Sequence, residues 1–170
     1  LTCNSMFSHC GLDNVPIGLF DGVKNWIIGG FYSNCKNIIA IPSGAFSSGT
    51  FYPGAAGGVF RGCSNLRYVY DCPAGTLPSF EGTSVEVVDC YLVDATNVNS
   101  LFKGLTTLRE ISDNLFKRSP NITSLTNCFS GCTNLESIPE GLFDGLELLE
   151  DVSYCFYNCT SIKEIPHDLF

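Results

Sequence analysis

The sequence predicts a repeat solenoid, a stack of short coils sharing one apolar interior. Three observations carry that prediction: a motif that recurs along the whole chain, apolar residues spaced every third position within it, and a composition poor in charge. The motif is plainest in "CFSGCTNLESIPEGLFDG" at 128–145, and it returns as "CFYNCTSIKEIPHDLF" near the end and "MFSHCGLDNVPIGLFDG" near the start. Self-similarity at a fixed period marks repeat architectures, whose single units cannot bury an interior alone but can do so when stacked.

An aromatic opens each copy. The anchors are Phe7, Tyr32, Phe60, Phe80, Phe102, Phe129 and Phe156, separated by 25, 28, 20, 22, 27 and 27 residues. The copy at Phe80, "SFEGTSVEVV", is the weakest, having lost a residue before its apolar pair. Behind each anchor the apolar positions come every third residue: Phe129, Cys132, Leu135 and Ile138; Phe156, Cys159, Ile162 and Ile165; Phe60, Cys63, Leu66 and Val69. A second run follows in Phe143, Leu146, Leu149 and Val152, and in Phe20, Val23 and Trp26. Period three is neither the alternation of a strand nor the 3.6 of a helix. It suits a chain that turns corners and points one apolar residue inward on each short face.

Strands are expected around "LESI", "IKEI", "LRYV" and "LREI", stacked about 4.8 Å apart. Pro16, Pro42, Pro139 and Pro166 each follow the last inward aliphatic. Proline donates no hydrogen bond and suits the end of a strand. Asn37, Asn65 and Asn134 precede the inward Ile or Leu and read as corner residues.

The chain has 170 residues, 45% hydrophobic and only 15% charged, with a formal net charge of −8. Charge is lower than the roughly 25% of ordinary globular domains. No basic stripe exists, which argues against nucleic acid as a partner. No run approaches the ~18 apolar residues of a membrane helix, so no membrane insertion is expected. Eight acids lie between Glu136 and Asp168 with Lys163 as the one Lys or Arg; they read as a solvated face, without the spacing of a calcium loop. Because the chain begins and stops inside copies, residues 1–170 are expected to form a single uncapped segment of a longer array.

These copies resemble the BspA-like leucine-rich repeats of bacterial surface proteins. The likeness is carried by "NSMFSHC", "CFSGCTNLESI", "VSYCFYNCTSI" and "DATNVNSLF". This chain departs from the family in its "IPxGLF" corner and in uneven lengths between Ser43 and Asp94. The resemblance implies an α/β, leucine-rich-repeat-like, right-handed stack of about seven coils. Each coil would give one short parallel strand and an irregular or short helical return. It further implies an extracellular or cell-surface adhesion scaffold whose partner is a protein or glycan. Similar repeats occur in bacteriophage tail proteins, so a structural or receptor-binding virion segment is the alternative. A targeting arm for a catalytic domain elsewhere is a third reading.

Cys10, Cys35, Cys63, Cys132 and Cys159 stand three residues after an anchor, where other copies have Thr83 and Leu105. That equivalence favours buried, mostly unpaired thiols over a disulfide framework. Cys128, Cys132, Cys155 and Cys159 form two C-x-x-x-C pairs with zinc-like spacing. However, Cys128 and Cys155 share a position with Met6, Phe31, Val59 and Leu101, which explains the spacing without a metal. No cofactor is expected.

No catalytic motif appears: no G-x-S-x-G, H-E-x-x-H, P-loop or G-x-G-x-x-G. His9 and His167 occupy different positions of their copies, and Glu140 and Asp144 belong to a repeated polar corner, so no enzyme is expected. Asn121 and Asn158 head glycosylation sequons, which matter only in a eukaryotic secretory route. The candidate partner-binding residues are Tyr68 and Tyr70, aromatic where other copies carry small or charged residues, with Phe51 and Tyr52 in the Gly/Ser-rich stretch beside them. Inserted loops on rigid scaffolds carry recognition, and aromatics dominate binding hot spots. The competing reading of Phe51 is a satellite core under its loop.

Overall fold

A computed structural model describes residues 1–46, 49, 51, 58–73 and 80–170. Four two-residue strands run in parallel: β1 (Ala40–Ile41), β2 (Tyr68–Val69), β3 (Val87–Val88) and β4 (Glu110–Ile111), in the order β1-β2-β3-β4. Ile41, Val69, Val88 and Ile111 stand in one register and are buried, while Ala40, Tyr68, Val87 and Glu110 face outward. Further parallel bridges pair Thr2 with Ile27, Trp26 with Phe51, Val93 with Arg118 and Ser124 with Asp151.

Two of the four expected strand sites, at "LRYV" and "LREI", are strands, but "LESI" and "IKEI" are not. Proline accounts for the limit. In the sheet, the residue after each buried aliphatic donates its N–H to the preceding strand: Tyr70 to Ile41 (2.9 Å), Asp89 to Val69 (2.9 Å) and Ser112 to Val88 (2.8 Å). Pro42 and Pro139 hold the equivalent positions on either side of the sheet and have no N–H to donate. The sheet therefore spans the copies between them, with one bond, Glu136 N–H to the Arg109 carbonyl at 3.3 Å, reaching past it.

Among the described residues there is no helix, and the returns are irregular turns. The backbone around each anchor explains why. Two residues after the anchors stand His9, Asn34, Gly62, Gly82, Gly104, Gly131 and Asn158, all left-handed, with φ from 58° to 80°. Two residues before them, where described, stand Ser5, Gly30, Gly58, Ser100, Asn127 and Tyr154, with φ from 55° to 71°. No right-handed helix passes through such a pair, and Gly, Asn and His are residues that tolerate it. The conformation also aims N–H groups at the next copy: His9 to Ser33, Asn34 to Arg61, Gly62 to Glu81, Gly104 to Ser130 and Gly131 to Tyr157, each at 2.8 Å.

The core is one continuous cluster along the chain. Five anchors are buried in it, and Phe7 and Phe156 pack against it half-buried. Their rings stack in two runs. Phe7, Tyr32 and Phe60 form one (6.3 and 5.8 Å), and Phe80, Phe102, Phe129 and Phe156 the other (5.6, 5.3 and 5.3 Å). Among the described residues no ring contact joins Phe60 to Phe80, where the sequence spacing is shortest at 20.

Tyr32 is the odd member of this column. It is 1% exposed, its hydroxyl has no hydrogen-bond partner among the described residues, and desolvation by burial raises its pKa. A buried polar group left unpaired costs about 1–3 kcal/mol. Tyr32→Phe is therefore expected to stabilise the chain by about 1 kcal/mol in urea unfolding. A loss of that size would show that the hydroxyl has a partner.

The anchor-linked cysteines do specific work. The Sγ–H groups of Cys35, Cys63, Cys132 and Cys159 donate to the carbonyls of Phe7, Tyr32, Phe102 and Phe129, the anchors of the preceding copies, at 3.0–3.1 Å. Burial pushes the Cys63 thiol up to about 11 and the Cys132 thiol up to about 12, so both keep their hydrogen at neutral pH. All ten cysteines are free.

Candidate partner-binding face

The outward positions of β2 and its neighbours build the face. Tyr68 stands between Ala40 of β1 and Val87 of β3, whose short side chains leave its ring uncrowded. Val69 points inward, so Tyr70 returns to the same side as Tyr68, and their rings stack at 6.3 Å and 6°. Tyr68 is half-buried and Tyr70 is 40% exposed. The structure thus brings together the two tyrosines expected from sequence.

Phe51 does not join them. It is 6% exposed and packs edge-on against Phe20 (5.4 Å) and Phe46 (6.0 Å), held by the parallel bridge to Trp26. Its ring is part of the core, the satellite-core reading, and is not displayed at the surface. Tyr52 lies outside the described residues.

Two residues that sequence reasoning missed complete the face. Tyr91 is 37% exposed, and the Arg118 guanidinium lies 4.2 Å from its ring centroid. The bridge between Val93 and Arg118, with Asp94 N–H donating to the Arg118 carbonyl at 3.0 Å, sets that contact. Cation–π pairs of this kind orient a guanidinium without neutralising it. No repeated position flags Tyr91, because it follows the copy whose register is shifted; the exposed tyrosine beside Cys90 was the one available signal.

Tyr70, Tyr91 and Arg118 rim a groove of about 310 Å³ that also includes Ser43, Asp71 and Cys72. The Asp71 carboxylate accepts the N–H groups of Phe46 (2.7 Å) and Cys72 (2.9 Å), which locks it in the groove wall. Beside the tyrosines runs a charged row across the strands, in which Glu86 accepts from both Arg67 and Arg109 (3.0 Å to the latter). Hydrogen bonding from Arg67 above all, with Arg109 adding to it, holds the Glu86 carboxyl below its ordinary range. The face therefore offers ring surfaces for stacking, phenol and guanidinium donors, and fixed carboxylate acceptors.

Elsewhere, His9 accompanies Asn34 at 3.4 Å on an exposed turn, and His167 is fully exposed beside Asp168. Among the described residues no group of three or more His, Cys, Asp or Glu side chains is arranged to hold a metal ion. Among them, too, no helix is long and apolar enough to cross a membrane. No family model, curated protein or solved structure matches the chain at a significant level.

Proposed function

We propose that this chain is a non-catalytic interaction or adhesion scaffold, acting outside the cell or at its surface and binding a protein or glycan through the Tyr68–Tyr70 face. In this reading it is a leucine-rich-repeat-like, right-handed solenoid of about seven coils, akin to the BspA-like surface proteins. The four parallel strands and the recurring ladder of bonds between copies support that architecture. The observation that carries the function is the stacked, outward-facing pair Tyr68 and Tyr70, extended by Tyr91 and Arg118, on a hydrogen-bonded sheet. Rigid aromatics lose little entropy on binding and anchor interfaces.

The test is a screen of the purified chain against a glycan array and a panel of cell-surface proteins, followed by titration of the strongest binder. Tyr68→Ala combined with Tyr70→Ala is expected to weaken that binding about thirty-fold, or about 2 kcal/mol. The melting curve should stay within a few degrees of the parent, since neither ring fills the core. A binder indifferent to the double change, with an unmoved melting curve, would remove this face from the proposal.

A further inference from the structure

At the base of the groove, where Cys72 forms part of the lining, lies a pair of thiols that the repeat pattern does not explain. Cys72 and Cys90 stand apart from the anchor-linked cysteines, and their sulfurs are 3.6 Å apart, each side chain buried at 3% and 5% exposure. Among the described residues this is the one thiol–thiol contact. Cys35, Cys63, Cys132 and Cys159 instead direct their hydrogens at carbonyls.

The backbone brings the pair together. Val69 and Val88 are partners in the parallel register of β2 and β3, and the two cysteines follow them on adjacent segments. Neighbouring parallel strands lie about 4.8 Å apart, inside the Cα separation that a disulfide spans. The Asp71 carboxylate, accepting the Cys72 N–H, holds one side of the pair in place.

We propose that Cys72 and Cys90 are the site of a native disulfide, formed while the chain folds in the presence of a small-molecule disulfide such as oxidised glutathione. One protein thiolate attacks a sulfur of oxidised glutathione, forming a mixed disulfide and releasing one glutathione thiolate. The second protein thiolate then attacks the protein sulfur of that mixed disulfide. The Cys72–Cys90 bond forms and the second glutathione leaves. The protein gives up two electrons to the oxidant, and the protons of its two thiols end on the two glutathiones.

Burial places the reaction in folding: a tripeptide disulfide does not reach sulfurs this enclosed in the finished fold. The same burial afterwards shields the bond from reductants. The cross-link closes a loop across 18 positions that contains the Phe80 copy, where the ring column is interrupted. It also ties the segment of Tyr70 to that of Tyr91 at the base of the groove, though it does not depend on what that groove binds.

The experiment refolds the denatured, reduced chain in a glutathione buffer, blocks free thiols by alkylation, and maps unreduced peptides by mass spectrometry. The expected product links Cys72 to Cys90 and leaves the other eight cysteines alkylated. Its melting temperature should exceed that of the reduced chain by about 5–10 °C. Cys72→Ala with Cys90→Ala should lose both the link and the shift between oxidised and reduced buffers. The folded, reduced chain should oxidise far more slowly than the refolding one. Ten alkylated cysteines after refolding, or either residue linked to another partner, would overturn the proposal; equal rates for folded and refolding chains would overturn its placement in folding.

Discussion

Phe129→Ala is expected to lower the free energy of unfolding by about 3–5 kcal/mol, the range for emptying a large aromatic site in a packed core. Phe129 is wholly buried and stacked between Phe102 and Phe156, each at 5.3 Å, with Phe116 tilted against it at 6.3 Å. Its own N–H is bonded to the Cys155 carbonyl (2.9 Å) and its carbonyl accepts the Cys159 thiol (3.1 Å). The surrounding backbone is thus tied to its neighbour and collapses poorly into a void. A domain typically has about 5–15 kcal/mol of stability, so this one truncation removes a large share. Phe7→Ala provides the comparison: the same repeat position, half-buried at the end of the other run of rings, should lose clearly less. Urea titrations of the two variants decide the matter, and equal losses would mean that burial of the anchor ring does not set the cost at this position.

The second large effect is expected at Ser119, whose side chain is fully buried yet polar. Its hydroxyl donates to the Leu92 carbonyl (2.7 Å) and accepts the Ala95 N–H (2.9 Å), bonding two backbone groups 27 and 24 residues away. Removing the hydroxyl strands both groups away from water, and each buried unpaired group costs about 1–3 kcal/mol. Ser119→Ala is accordingly expected to destabilise by about 2–3 kcal/mol, far more than its lost volume implies. Ser119→Thr keeps the hydroxyl and separates hydrogen bonding from packing. Amide exchange at Ala95 supplies the direct readout: it should accelerate in the alanine variant. Unchanged exchange there would show that a rearranged backbone satisfies the group without Ser119.

Both residues lie on the line between what local pattern reveals and what it hides. Phe129 is visible as an anchor because most copies repeat its neighbours. Ser119 has no counterpart in the other copies, and nothing in "KRSPNITSL" distinguishes its hydroxyl from an exposed one. The candidate site divides in the same way. Tyr68 and Tyr70 are legible because they break a repeated position, whereas the sequence leaves Phe51 open between a displayed aromatic and a satellite core, and only its packing against Phe20 and Phe46 decides for the core.

By itself the sequence determined most of the inward-facing residues, although Ile165, which holds an inward position of the pattern, is exposed in the structure, and it did not show that the strands expected at "LESI" and "IKEI" would be absent. A side chain every third position, prolines after the inward aliphatic, and Gly, Asn or His at left-handed turns act within a few residues of backbone, so each copy carries the information. Tertiary structure alone decided the contacts between copies: Arg118 over Tyr91, Cys72 against Cys90, Phe51 inside the core. The contacts between copies join residues far apart in sequence, 18 positions for Cys72 and Cys90, 27 for Tyr91 and Arg118 and 31 for Phe20 and Phe51, and their register depends on the lengths of the intervening turns. Between Ser43 and Asp94 those lengths are uneven, so the stacking of one copy on the next, rather than any local pattern, selects which side chains meet.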